Sequence, residues 1–553
     1  MADVERSPCD SEQPAQTRGA GHSPHPSSLQ VLGWCLVALF LVTSFVVVEG
    51  REPTWEDELY VLSTAWSMLH GGPPNQSALA IYPHSHSVVQ FYGPVSFRAA
   101  VTLLRIFGLK TWPWRALCFL FGIAFIVLSS AFLLRLAGLK RWALLAGASA
   151  IAVSSAYCTS LPGRWDPMTV AFILGGMACL FYASDGPWGR LLWQSPASGI
   201  LWGLAVGSTP RALPPLAAVG AGVAAFALIR ADKRVGVLIA GIVASVFAVV
   251  TDAVLLAPLA MTPWSWLRFV RQVSMGDKIN SSPFRGGEWG FQPQNYKGVI
   301  IFAVLILCTG FFAWAKSRRG QGTASHAWRV ALTVAATANF VLTILLISRF
   351  LTYAIFWLPL LTVASFCWVD WELFPKSSRL RSLTTVLVGL ALLVPTTLEI
   401  HRMVDSVKVW SSRDPRVLKS ATLEFVPAGS IVLGPVEDYF LRVEQSGSRY
   451  LYLEDDILPG LSSGLDSPAY RQHTMDLAAC TAPTFLLWVP DGPEYYPLPP
   501  EVAQYAKVQL SDGQPDPTEF PAVFRFEPPA NCAGAAGQAS AIKPFKALEP
   551  AFP

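Results

Sequence analysis

About eleven runs of apolar residues, all but one near the length that crosses a bilayer, recur between residues 31 and 400. A transmembrane helix needs roughly 17–25 predominantly apolar residues. The runs fall at 31–49, 115–137, 141–159, 167–183, 196–207, 212–230, 234–258, 298–315, 327–347, 350–369 and 380–400. The fifth and sixth are read as two spans because Ser208-Thr209-Pro210-Arg211 and Pro214-Pro215 interrupt any helix over 196–230. Composition agrees: 14% of the 553 residues are charged and 52% are hydrophobic, against about 25% charged in ordinary soluble domains. That excludes a soluble enzyme. A net charge of +4 gives no reason to expect a nucleic-acid partner. The expected fold is an α-helical polytopic membrane protein.

Residues 1–30, rich in Pro, Ser, Gln and His, read as a disordered cytoplasmic tail. The first run ends in VVVEG rather than in a small-residue cleavage site, so it is expected to remain as an anchor. Lys140, Arg141, Arg190, Arg230, Lys233, Arg234, Lys316, Arg318, Arg319, Lys376 and Arg379 all fall on one side, which the positive-inside rule makes cytoplasmic. The other side then holds residues 50–114, 259–297 and everything after about 401. There the composition changes. Short β-type runs at 430–434, 449–454, 484–489, 508–511 and 522–526 alternate with helical stretches at 436–445 and 469–479. Residues 401–530 are therefore expected to form a small extracytoplasmic α/β domain, periplasmic in a bacterium, with a flexible tail at 531–553. Cys480 and Cys532 belong to this part, and whether they pair is open.

Directly after the first run comes Trp55-Glu56-Asp57-Glu58-Leu59-Tyr60. Carboxylates at the membrane surface can be tuned into a general base, and the same acids also favour the dipole of a helix that starts here. Farther along the loop stand His84 and His86, then Tyr92-Gly93-Pro94 and a stretch resembling an interfacial helix. The two histidines would suit a metal together with Asp57 if the segment is extended, or they are solvated loop residues. Three outer-side arginines run against the charge bias: Arg164 in Gly163-Arg164-Trp165-Asp166, Arg211 and Arg349. An anionic ligand such as a phosphate would account for all three, as would snorkelling to headgroups. Asp166 also suits Arg164 as an ion-pair partner.

These features resemble, in their order and topological side, the GT-C membrane glycosyltransferases, and most closely the branch of protein O-mannosyltransferases and lipid A aminoarabinose transferases. The likeness rests on the Asp57-Glu58 pair opening the first outer loop, the Gly93-Pro94 helix, Trp114-Arg115 at the start of the second span, Arg164 with Asp166, and Arg349 to Pro359. It covers about residues 31–400, with the outer catalytic loop at 50–114, and extends to the appended domain. The resemblance implies that Asp57 or its neighbour Glu58 is the catalytic carboxylate and that Asp166 helps to shape the site. Arg349, Arg211 and Arg164 then face the donor phosphate, and His84, His86, Tyr92 and Tyr353 line the substrate loop. The activity implied is inverting transfer of a sugar from a polyprenyl-phosphate donor to a lipid, polysaccharide or protein acceptor outside the cytoplasmic membrane. No cofactor is required by this reading, and a divalent metal is left open. The segment 259–297 is expected to order over bound donor. A lipid or sugar transporter, or a non-catalytic scaffold, is the rival reading, with Asp252 as the clearest acid within a span.

Overall fold

The computed structural model describes residues 38, 56–71, 92–139, 163–184, 188–259, 262–267, 324–346, 354–368, 425–434, 439–452, 484–488, 503–509 and 522–527. Outside the described residues lie the 1–30 tail, the runs at 141–159, 298–315 and 380–400, nearly all of 31–49, and most of 259–297. The helical stretch at 469–479, Cys480, Cys532 and the 531–553 tail are outside them as well.

Among the described residues, two helices with defined bounds lead into the bundle. α1 (Glu56–Leu69) opens on the acidic triplet and stops at Gly71, whose φ of +74° ends the helical path. α2 (Pro94–Phe107) starts with proline in its first turn, where the missing N–H is not needed, and is strongly amphipathic. The bundle follows: α3 (Trp112–Leu136), α4 (Asp166–Ser184), α5 (Trp188–Val206), α6 (Leu213–Ile229), α7 (Arg234–Leu256), α8 (Ala324–Leu346) and α9 (Ala354–Trp368). Four described stretches are long and apolar enough to cross a membrane: Trp112–Leu136, Asp166–Ser184, Pro210–Ile229 and Ala231–Leu256. α5, α8 and α9 overlap three further runs read in the sequence. The expected break falls where the prolines put it, as a short 3-10 turn at Pro210–Ala212 between α5 and α6.

The helices approach closely through small residues, as packing in lipid requires. A Cβ added to Gly222 of α6 would lie 2.8 Å from the Ala331 carbonyl of α8, and one added to Gly199 of α5 would lie 2.3 Å from the Ala244 carbonyl of α7. Trp328 fills the centre, its ring 4.6 Å from that of Phe181 and 4.1 Å from that of Phe226. α4 is buried almost all round, whereas α7 exposes Val235, Leu238, Ile242, Val246 and Val250. The first is the hub and the second a lipid-facing wall.

All five β-type runs are strands: β1 (Ile431–Gly434), β2 (Arg449–Tyr452), β3 (Phe485–Trp488), β4 (Ala506–Gln509) and β5 (Ala522–Phe526). They form one mixed sheet in the order β2-β1-β3-β5-β4. β1 is parallel to β2 and β3, and β5 is antiparallel to β3 and β4. A parallel neighbour needs a crossover, and α10 (Tyr439–Gln445) supplies it between β1 and β2. The sheet's core is continuous with α1 and α2. Val432, Leu433, Phe440 and Val443 belong to one buried cluster with Val61, Leu62 and Ala65 of α1 and Phe97 of α2.

Within that cluster Glu444 is buried, accepting from the Tyr450 backbone N–H at 2.9 Å and from the Trp66 indole N–H at 3.2 Å. Burial pushes its carboxyl up to about 7, against the opposing pull of the Tyr450 N–H, the Arg449 guanidinium and the Trp66 N–H. The folded protein therefore holds a proton that the unfolded chain releases near its ordinary value. This group's contribution to stability is full below that value and is lost as pH rises through about 7. Pulse proteolysis in urea should show the sheet domain more resistant at pH 5 than at pH 8, and Glu444→Gln should flatten that difference.

Candidate functional site

The N-terminus of α1 is held by a residue from the first turn of α3. Arg115 donates from Nε to Glu58 Oε1 at 3.0 Å and from Nη2 to Oε2 at 2.9 Å, and both side chains are buried. A fork of this kind fixes orientation as well as position. Both groups give up hydration, which the close two-point geometry offsets. Immediately after Arg115 the helix widens into a π segment, Ala116–Phe121, before returning to α geometry at Gly122–Leu136. Such bulges re-aim the flanking side chains and concentrate at functional sites.

The third side is the turn into α4. Gly163 has φ +95°, and a Cβ there would lie 2.7 Å from Glu58 Cδ, so glycine is required both by the backbone and by the carboxylate packed against it. The Gly163 carbonyl accepts from Trp114 Nε1 at 2.7 Å, and Trp114 stacks on Trp165 with ring centroids 5.1 Å apart. Arg164 Nε meets Asp166 Oδ2 at 2.9 Å, both groups buried. Asp166 Oδ1 is buried without a hydrogen-bond partner among the described residues. Gly163→Ala should lower thermal stability by about 1–3 kcal/mol from the backbone alone, with a further loss as Glu58 is displaced. Unfolding in detergent micelles checks this, and an unchanged midpoint contradicts it.

The fourth wall joins α2 to the break after α5. The Gly93 N–H donates to the Ser208 carbonyl at 2.6 Å and the Val95 N–H to the Gly207 carbonyl at 3.1 Å. Tyr92 is buried in the same cluster as Trp114, Trp165 and Trp266. Arg211, half-buried, sits in the 3-10 turn that touches α4 and α5, with its N–H received by Thr209 Oγ1 at 3.4 Å. Asp252, near the end of α7, is buried, and its Oδ1 lacks a hydrogen-bond partner among the described residues.

The structure thus brings Glu58, Arg115, Gly163, Arg164 and Asp166 into one polar cluster. Asp57 lies in the first turn of α1, but its side chain is outside the described residues, as are His84, His86, Arg349 and Tyr353. Arg115 was not among the site candidates of the sequence. Its signal was there, an arginine opening an apolar run, but nothing local tied it to Glu58. Among the described residues no three His, Cys, Asp or Glu side chains gather to hold a metal. Glu58 is engaged by Arg115, and Asp166 is engaged through one oxygen, so the described acids do not by themselves build the multi-oxygen cage of a divalent cation.

No family model matches the sequence. A search of curated proteins also finds no match. Solved structures do match. The apo oligosaccharyltransferase of Archaeoglobus fulgidus superposes with a TM-score of 0.52 at 13% identity, over 82% of this chain and 69% of that one. The same protein in complex with Zn and sulfate gives 0.50 at 11% identity, over 82% and 67%. ArnT from Cupriavidus metallidurans, in the apo state, is matched over 77% of this chain and 86% of that one at 13% identity, with a TM-score of 0.47. At such identities the likeness establishes architecture alone, a helical arrangement shared with the archaeal oligosaccharyltransferase.

Proposed function

We propose that the protein is a membrane glycosyltransferase that moves a sugar from a polyprenyl-phosphate-linked donor to an acceptor at the outer face of the cytoplasmic membrane. The observation that carries this reading is the buried Glu58–Arg115 fork at the first turn of α1, in a GT-C fold, beside the turn that bears Arg164 and Asp166. It assigns different work to the two adjacent acids. Glu58, engaged through both oxygens, is structural. Asp57 is one position away, about 100° around the helix, and is the acid assigned here to the chemistry.

In the proposed reaction an acceptor hydroxyl attacks the anomeric carbon from the face opposite the phosphate. Its proton passes to Asp57, the new glycosidic bond forms, and the bond to the polyprenyl-phosphate oxygen breaks with its electron pair leaving on phosphate. The result is inversion. Arg211, Arg164 and Arg349 would stabilise the charge that grows on the departing phosphate, which fixed cations in a water-poor site do well. His84, His86, Tyr92 and Tyr353 would line the substrate path, and residues 259–297 would order over the donor. The acceptor is a lipid, a polysaccharide or a protein.

Mass spectrometry of lipid-linked sugars in cells lacking the protein tests the reading directly. A polyprenyl-phosphate sugar should accumulate there and disappear when the gene is restored. No accumulated donor would favour transport or scaffolding instead.

A further inference from the structure

The sheet domain and the helix proposed to bear the base are joined by a defined contact. Trp66, half-buried on α1, donates its indole N–H to Glu444 Oε2 at 3.2 Å, and the other oxygen of Glu444 is held by the Tyr450 N–H of β2. Next along α10, the Gln445 side-chain amide donates to the Leu109 carbonyl just past the end of α2. Around these polar ties the apolar cluster runs unbroken from Val61, Leu62 and Ala65 to Phe440 and Val443. Glu444 lies on the buried face of α10, where a carboxylate has no reason to be unless its acceptors are used.

α1 is thus gripped twice. Arg115 holds it at Glu58, and the sheet domain holds it at Trp66, about 12 Å farther along at 1.5 Å per residue. A helix fixed only at Glu58 could still tilt and roll about that point. The second grip removes that freedom, which matters because catalytic groups need to stay within about 10–20° of the productive direction.

We infer that the sheet domain acts as a brace that sets the orientation of α1, with Trp66, Glu444 and Gln445 as positioning residues for the carboxylate at its first turn. This rests on the reading of α1 as the helix that bears the base. The domain's role is then to hold the helix that bears the base.

The test uses the full chain in lipid nanodiscs with the variant Trp66→Phe/Gln445→Ala. It keeps an aromatic ring at position 66, removes the indole N–H and the amide, and leaves the strands of the sheet unchanged in sequence. Hydrogen exchange over 59–69 should rise at least about ten-fold, while exchange over 431–434 and 449–452 stays as in the parent. With a polyprenyl-phosphate hexose as donor and membranes as the acceptor source, kcat should fall about ten- to a hundred-fold with KM for the donor unchanged. Unchanged exchange over 59–69 overturns the brace, whatever the kinetics. A loosened α1 with kcat retained and KM raised also overturns it, making the domain a donor-binding surface. If Asp57→Asn leaves donor consumption intact, the reading of the base fails separately, and the exchange measurement still decides the brace.

Discussion

Replacing Asp57 by Asn should lower turnover by about a hundred-fold or more while donor affinity barely moves. Asparagine keeps the shape and one acceptor oxygen, so the ground-state complex forms, but it cannot take the acceptor's proton as the hydroxyl attacks. The loss therefore appears in kcat, with KM for the polyprenyl-phosphate donor nearly constant. Glu58→Gln is the control within the pair, and the structure makes it informative. Its amide still accepts from one arm of Arg115 but turns an N–H₂ towards the other, so the expected defect is loss of stability followed by partial loss of turnover. Steady-state kinetics beside thermal unfolding separate the two. Full activity in Asp57→Asn with none in Glu58→Gln would reverse the assignment of the two acids. Activity in both would remove this loop from the chemistry.

The largest effect on stability is expected at Arg115. Arg115→Met takes the guanidinium away from a buried carboxylate packed against Gly163, at a cost of about 3–5 kcal/mol. Substituting both partners should behave differently. Arg115→Met/Glu58→Leu fills a similar volume with apolar groups, and such replacements are commonly neutral or stabilising. The double variant should regain most of the unfolding midpoint lost by the single one. Turnover should stay low in both, because an apolar pair packs without the directional fork that holds the first turn of α1 in register. Recovery of turnover along with stability would show that the ion pair has no part in orienting Asp57.

Much of this architecture is readable from the sequence because it is local. Apolar runs of span length are helical wherever the structure describes them, since a helix satisfies its own backbone in lipid. The break at Pro210 is chain chemistry, and the five short β-type runs are strands at nearly the positions their residue types imply. Pairings were another matter. Glu58 and Arg115 are 57 residues apart and Trp66 and Glu444 are 378 apart, and each residue has an ordinary local explanation: an acid at a helix start, an arginine at a lipid surface, a glutamate on a short helix. Which of them meet depends on which helix ends and domain faces come together. That is decided by closing long loops against the burial gained, and no local pattern records it. The sequence by itself determined a polytopic helical membrane protein with a segment of short strands near its end and an acidic stretch after the first apolar run. Only the tertiary structure decided that Glu58 is held by Arg115 and that the sheet grips α1 at Trp66, because both contacts are made by burial of groups that the sequence alone leaves indistinguishable from solvated ones.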